Sequence, residues 1–156
     1  MGPKMPGVNV AIIGSNRCDS IDRKLARALL GLPGGKLAGS FVQIDDLPVY
    51  DQNLESPLPA SVARVKTSVE ETSALLFVSP EHNRSIPAVL KNAIDWGTRH
   101  YGRKSWAGKA VAIIGTSPGA VGTAIAQQHL RQEFGDLGAL GAGWRSLRHV
   151  QAKPHR

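Results

Sequence analysis

At 156 residues the chain has the length of one domain, enough to bury a core. Its 42% hydrophobic and 20% charged residues are an ordinary globular composition. No apolar run approaches the roughly 20 residues that cross a bilayer. Met1–Gly7 lacks the apolar stretch of a secretory signal, so the expected compartment is cytoplasmic, with no membrane partner. A lone Cys18 excludes an internal disulfide framework and a cysteine-based zinc site, and the five histidines show no ligand spacing, so no metal is expected. The net charge of +7 divides unevenly: all 12 acidic residues lie at or before Asp136, while Arg145, Arg148, Lys153 and Arg156 follow without an acid. Much of the basicity therefore belongs to a tail. With only Trp144 there to stack on a base, nucleic acid is not an expected partner.

Val8–Gly14 is a short apolar run ending in glycine and reads as a buried parallel strand. Ile21, Leu25, Ala28, Leu29 and Leu32 then recur at helical spacing, with Asp19 or Ser20 as N-cap and Gly31 and Pro33-Gly34-Gly35 as the stop. A second strand is expected over Gly39–Ile44, followed by a proline-rich loop from Leu47 to Pro59 and a helix marked by Val62, Val65 and Val69. Ala74–Val78 is the third strand, and Pro87 suits the first turn of a helix carrying Leu90, Ala93, Ile94 and Trp96. Ala110–Gly115 is the fourth strand and Val121–Phe134 the fourth helix. The alternation predicts an α/β fold with a parallel sheet and helices on both faces. Ligands of such folds sit outside the carboxyl ends of the strands, which directs attention to Ser15–Ser20, Ser79–Ile86 and Gly115–Gly119.

The first of these loops opens directly onto a helix, where free backbone N–H groups and the helix dipole favour an anion. Ser15 and Ser20 offer hydroxyl donors and Arg17 a charge-assisted pair, although serines here also serve simply as caps. The loop has neither the G-x-G-x-x-G nor the G-x-x-x-x-G-K-[ST] pattern. Gly115-Thr-Ser-Pro-Gly119 matches the G-x-S-x-G of a hydrolase nucleophile, with Asp136 and His149 following in the right order. The oxyanion hole, however, needs the N–H of the residue after the serine, and Pro118 has none, which excludes the hydrolase reading. The middle loop, Ser79-Pro-Glu-His-Asn-Arg-Ser-Ile-Pro87, is dense in donors and acceptors and bounded by prolines. Asn83 and Ser85 can read a polar ring edge and His82 can cover its face.

Gly14-Ser-Asn-Arg-Cys-Asp-Ser-Ile-Asp-Arg-Lys-Leu25 and Pro80-Glu-His-Asn-Arg-Ser-Ile-Pro-Ala-Val-Leu-Lys-Asn-Ala-Ile-Asp-Trp96 resemble the NADPH-dependent FMN reductase family, which includes quinone, chromate and azo-dye reductases. The resemblance runs from Val8 to about Asp136. It implies a flavodoxin-like doubly wound sheet, with residues 1–136 as the FMN-binding domain. It also implies FMN and NADPH (or NADH) as cofactors, and hydride transfer to the flavin followed by reduction of a small acceptor (a quinone, chromate, an azo compound or free flavin). By the same resemblance Ser15, Arg17 and Ser20 take the FMN phosphate, with Ile21 and with Asp22 in place of a usual asparagine. Pro80, Glu81, His82 (where tyrosine is usual), Asn83 and Ser85 line the isoalloxazine, and Gly115, Thr116, Ser117 and Gly119 flank its other side. No side chain is expected to be catalytic, since the flavin carries the chemistry. Arg84 or Arg99 is a candidate for the NADPH phosphate, and members assemble as homodimers or homotetramers.

After Asp136 the sequence departs from the family. Residues 137–156 read as a divergent basic tail, and the sheet is expected to lack its last strand and helix. Such a tail should be dispensable for flavin contact, because all three loops precede Ala120. Asp22 should repel the phosphate, so that Asp22→Asn tightens FMN binding while slightly lowering stability through the lost dipole interaction. The altered positions also leave open a catalytically impaired flavin-binding or interaction module. Cys18, beside Arg17 near a helix N-terminus, reads as an incidental loop cysteine before a redox-sensing one. Trp96 is expected to pack in the core or against another subunit.

Overall fold

The computed structural model describes residues 11–17, 19–31, 39–72, 74–141 and 150–151. Val8–Val10 of the first expected strand, Cys18, the Pro33-Gly34-Gly35 stop, His149, Trp144 and the tail cations Arg145, Arg148, Lys153 and Arg156 lie outside them.

Strands and helices alternate as β1 (Ala11–Ile13), α1 (Ile21–Leu30), β2 (Phe41–Val42), α2 (Ala60–Glu70), β3 (Ala74–Val78), α3 (Ala88–Gly97), β4 (Ala110–Ile114), β5 (Thr116–Ser117), α4 (Ala124–Asp136), β6 (Leu140–Gly141) and β7 (Val150–Gln151). The main sheet is wholly parallel, in the order β2-β1-β3-β4-β6. This is the flavodoxin-like, doubly wound order. Among the described residues, no helix is long and apolar enough to cross a membrane.

Each helix forms for a local reason. Ser20, extended at φ −67° and ψ 127°, accepts from the Arg23 amide and starts α1, and Gly31 ends it by donating to the Arg27 and Leu29 carbonyls. Pro59 and Pro87 hold the extended backbone immediately before α2 and α3. The fourth helix begins at Ala124 rather than Val121, because a tight turn in which the Gly122 amide donates to the Gly119 carbonyl occupies the intervening residues. The edge strand β2, paired only to β1, shrinks from the expected Gly39–Ile44 to Phe41–Val42.

The core lies between the sheet and α2, α3 and α4, where Leu75, Phe77, Leu90, Ile94, Trp106 and Leu130 are buried. Phe77 packs against Trp106 and Phe134 at centroid distances of 5.9 and 4.4 Å. Burying such side chains contributes about 1.5–3 kcal/mol each. Trp96 belongs to the core: it is fully buried, and its Nε1 donates to the Pro48 carbonyl at 2.8 Å. On the other sheet face α1 packs Ala26 against Val78, while Ala110 and Ala112 of β4 are exposed although a parallel strand is normally buried on both faces. No helix among the described residues covers them.

The C-terminal region carries two differences from expectation. Among the described residues, the fifth place in the sheet is held by Leu140 and Gly141, paired with Ala110 and Val111. Val150 and Gln151 pair in parallel with Thr116 and Ser117, so the tail touches the third loop instead of standing clear of it. Spacing within residues 144–156 gives no sign of this, because a two-residue strand has no period to detect.

Candidate functional site

Three loops meet at the carboxyl ends of β1, β3 and β4, and glycines set how closely. Gly14 is buried, and a Cβ there would lie 2.8 Å from Ser79 Oγ and 3.0 Å from Leu90 Cδ2. A Cβ on Gly115 would stand 2.2 Å from the Ser79 carbonyl oxygen and 2.3 Å from Thr123 Oγ1. The shortest distance at each glycine is below what real Cβ atoms show, so the strand ends approach as they do only because these positions carry no side chain. The ladder continues into the loops: the Gly14 amide donates to the Val78 carbonyl, and the Ser79 amide to the Ile114 carbonyl.

The first loop is folded on itself. The Arg17 amide donates to Ser15 Oγ at 3.3 Å, the Ser20 amide donates to the Arg17 carbonyl, and Ser20 Oγ accepts from the Arg23 amide. Both hydroxyls keep their own proton for a ligand. The Arg17 side chain is exposed, while Asp22, in the first turn of α1, is only 2% exposed. Its Oδ1 accepts from the Thr116 amide at 3.2 Å, which fastens the first loop to the third. Burial pushes the Asp22 carboxyl up to about 6, against the opposing pull of the Thr116 and Asp22 amides.

The middle loop is a tight reversal. His82 and Ser85 exchange backbone hydrogen bonds of 2.9 and 3.0 Å around Asn83 and Arg84, whose φ values are 49° and 60°. Two positive φ values in succession define a type I′ geometry, to which asparagine is suited and arginine is not. Glu81 anchors this turn. Its Oε2 accepts from the Ile125 and Ala126 amides at 3.0 and 3.3 Å, and its Oε1 from Arg84 at 3.3 Å. Thr123, the N-cap of α4, makes no side-chain cap, so Glu81 supplies one from another loop. Ser85 Oγ bonds His129 Nδ1 at 3.0 Å, which ties the turn to the middle of α4. In the third loop the Gly119 amide donates to Ser117 Oγ at 3.0 Å.

Ser15, Arg17, Ser20 and Asp22 thus share one loop and helix start, which Asp22 fastens to Thr116; Gly14 and Gly115 abut Ser79, while Glu81 and Ser85 tie the middle loop to α4. His82 and Asn83 are exposed at the tip of the turn. A cleft of about 280 Å³ lies beside the first loop, lined by Ser15, Asn16 and Arg23 with Val42–Asp45; of the residues assigned to a cofactor, it includes only Ser15. Arg99 lies beyond the far end of α3, a helix of about 15 Å, with its guanidinium over the Tyr50 ring at 4.9 Å and near Glu55 at 3.7 Å. That removes it from the strand-end loops. The α4 cap by Glu81, the Ser85–His129 contact and the closure of Asp22 onto Thr116 all join positions more than 40 apart in sequence, and no local pattern announces them.

The strand order and the loop cluster at the carboxyl ends define a doubly wound flavodoxin-like protein. Residues 9–144 match the family model of NADPH-dependent FMN reductases, and the chain belongs to that family. It is 48% identical over 120 residues to a 2-hydroxy-1,4-benzoquinone reductase of a Burkholderia species, covering 77% of this chain and 66% of the relative. It is 45% identical over 124 residues to a quinone reductase of Pseudomonas putida, covering 79% and 67%. Among solved structures, the flavoenzyme NAD(P)H:(acceptor) oxidoreductase FerB of Paracoccus denitrificans superposes with a TM-score of 0.84 at 42% identity, covering 88% of this chain and 76% of that one. The chain therefore spans about two thirds of the length of the curated relatives it matches.

Proposed function

We propose that this chain is an FMN-dependent NAD(P)H oxidoreductase that passes electrons to a small acceptor of the quinone type. The observation that carries this is the amino terminus of α1: exposed Arg17 and the Ser15 and Ser20 hydroxyls surround it, and the one carboxylate of its first turn is directed into the Thr116 amide. These donors fit a flavin phosphate. When bound, FMN supplies the chemistry, taking a reducing pair from NAD(P)H and yielding it to the acceptor.

The chain's part is to bind and orient. Arg17 and the α1 amides hold the phosphate. The Pro80–Ser85 turn, kept rigid by Glu81 and His129, presents Asn83 and His82 beside the ring, and Gly115–Gly119 supplies a small, polar opposite wall. His82 stands for tyrosine, so one wall of the site offers an imidazole in place of a phenol. The quinone acceptor follows the names of the relatives, and assembly as a homodimer or homotetramer follows the family resemblance.

The test is anaerobic titration of the FMN-loaded protein with NADPH and NADH, followed at the flavin absorbance band. Bleaching that a quinone reverses is expected, with parallel initial-rate lines for NADPH at several quinone concentrations, because donor and acceptor use one flavin face in turn. A yellow protein unchanged by either nucleotide would instead mark a flavin-binding module without turnover.

A further inference from the structure

The described surface concentrates basic groups away from the strand-end loops. A cavity of about 500 Å³ opens between α2 and the segment joining α3 to β4, lined by Lys66, Arg103, Lys104, Lys109 and His100, with Glu70 the one carboxylate among its lining residues. Its wall is built from fixed groups. Lys66 is buried, and its Nζ donates to Ser105 Oγ at 2.7 Å and to the Arg103 carbonyl at 3.4 Å. Lys109 Nζ donates to the Glu70 carbonyl at 2.7 Å and to the Thr72 carbonyl, and Lys104 Nζ to the Asp136 carbonyl at 3.4 Å. Carbonyls and hydroxyls orient these ammonium groups without cancelling their charge. Glu70 offsets one cation, standing 3.7 Å from Lys66 and accepting from Ser105 Oγ at 2.6 Å. Burial pushes the Lys66 ammonium down from its usual value, and the nearby Glu70 carboxylate opposes this.

Four basic side chains thus face one carboxylate across a concave, partly desolvated surface, which focuses a positive potential. Most of the lining lies where β3 and β4 begin, so the length of β4, about 16 Å, separates it from the flavin loops. Lys66 stands on α2 and Arg103, Lys104 and Lys109 on the segment joining α3 to β4, and four cations against one carboxylate leave more positive charge than a single phosphate group, at roughly −2, neutralises. We propose that this cavity is a second binding site, for a diphosphate-bearing anion, at the opposite end of the sheet from the flavin.

The test is calorimetric titration of the FMN-saturated protein, whose flavin phosphate loop is then filled, with sodium pyrophosphate, orthophosphate and ADP at fixed ionic strength. Saturable pyrophosphate binding is expected, tighter than that of orthophosphate. Arg103→Ala/Lys104→Ala, a change at two exposed positions, should weaken it by about tenfold or more, the effect of losing a charge-assisted contact. The flavin spectrum and its reduction by NADPH should stay as in the native protein. ADP binding no tighter than pyrophosphate, and equally sensitive to the double variant, identifies the free anion as sufficient; tighter ADP binding with the same sensitivity identifies a nucleotide. No saturable pyrophosphate binding, or equal affinity in the double variant, overturns the proposal.

Discussion

Arg17 and Asp22 occupy one short stretch of loop and helix and have opposite fates. Arg17 is exposed and free to meet a phosphate, and a charge-assisted hydrogen bond is worth about 1.5–3 kcal/mol. Arg17→Ala should therefore weaken FMN binding by roughly 10- to 150-fold in a fluorescence titration, and an unchanged affinity would remove the loop from the phosphate site. Asp22 reverses an expectation drawn from the dipole alone. Its carboxyl is pushed up from 3.8 to about 6 in the folded chain. The folded state therefore holds the proton more tightly than the unfolded one, and stability falls as pH rises from about 4 to about 6, by roughly 3 kcal/mol at most. An asparagine keeps an oxygen for the Thr116 amide and removes the buried charge. Asp22→Asn should thus match the native protein at pH 4 and exceed it at pH 7 in denaturant midpoint, not fall below it. It should also tighten FMN binding at pH 7.5 and leave it unchanged at pH 5. Equal midpoints at pH 7 would show that ionised Asp22 is well solvated.

Helix α4 starts without a cap of its own and borrows one from the middle loop. Removing a cap costs about 0.5–2 kcal/mol, and in a chain of this size each kcal/mol moves the Tm by about 2–4 °C. Glu81→Ala should therefore lower the Tm by about 1–8 °C, and it should also release Arg84, whose positive φ is held by this turn. Thermal unfolding with and without FMN checks both effects, since a loosened turn should also reduce the stabilisation that FMN confers. An undiminished FMN-induced shift would mean that Glu81 acts on the helix alone.

For the whole molecule, the pairing of Val150–Gln151 with Thr116–Ser117 changes what truncation should do. The loops' positions before Ala120 imply a dispensable tail, whereas the structure lays that tail along the third loop. Ending the chain after Gly141 should leave the main sheet in place, because β6 remains, while weakening FMN binding measurably by leaving the third loop unpaired. Retained affinity in the folded truncation would show that β7 contributes nothing to the site.

The amino-acid sequence by itself determined the elements and their order, because apolar runs bounded by glycine and proline report local burial and local backbone freedom. Ser20, Pro59 and Pro87 announced three helix starts, and the loop motifs of Gly14–Ser20 and Pro80–Ser85 announced the family. Tertiary structure alone decided where the carboxylates went. Asp22 closes on Thr116 across 94 positions and Glu81 caps α4 across 44, and such partners are chosen by chain topology, not by spacing. It also decided the charge. Arg103, Lys104 and Lys109 share one acid-free stretch between Asp95 and Glu133, and only folding adds Lys66 and Glu70 of α2 to them in one cavity.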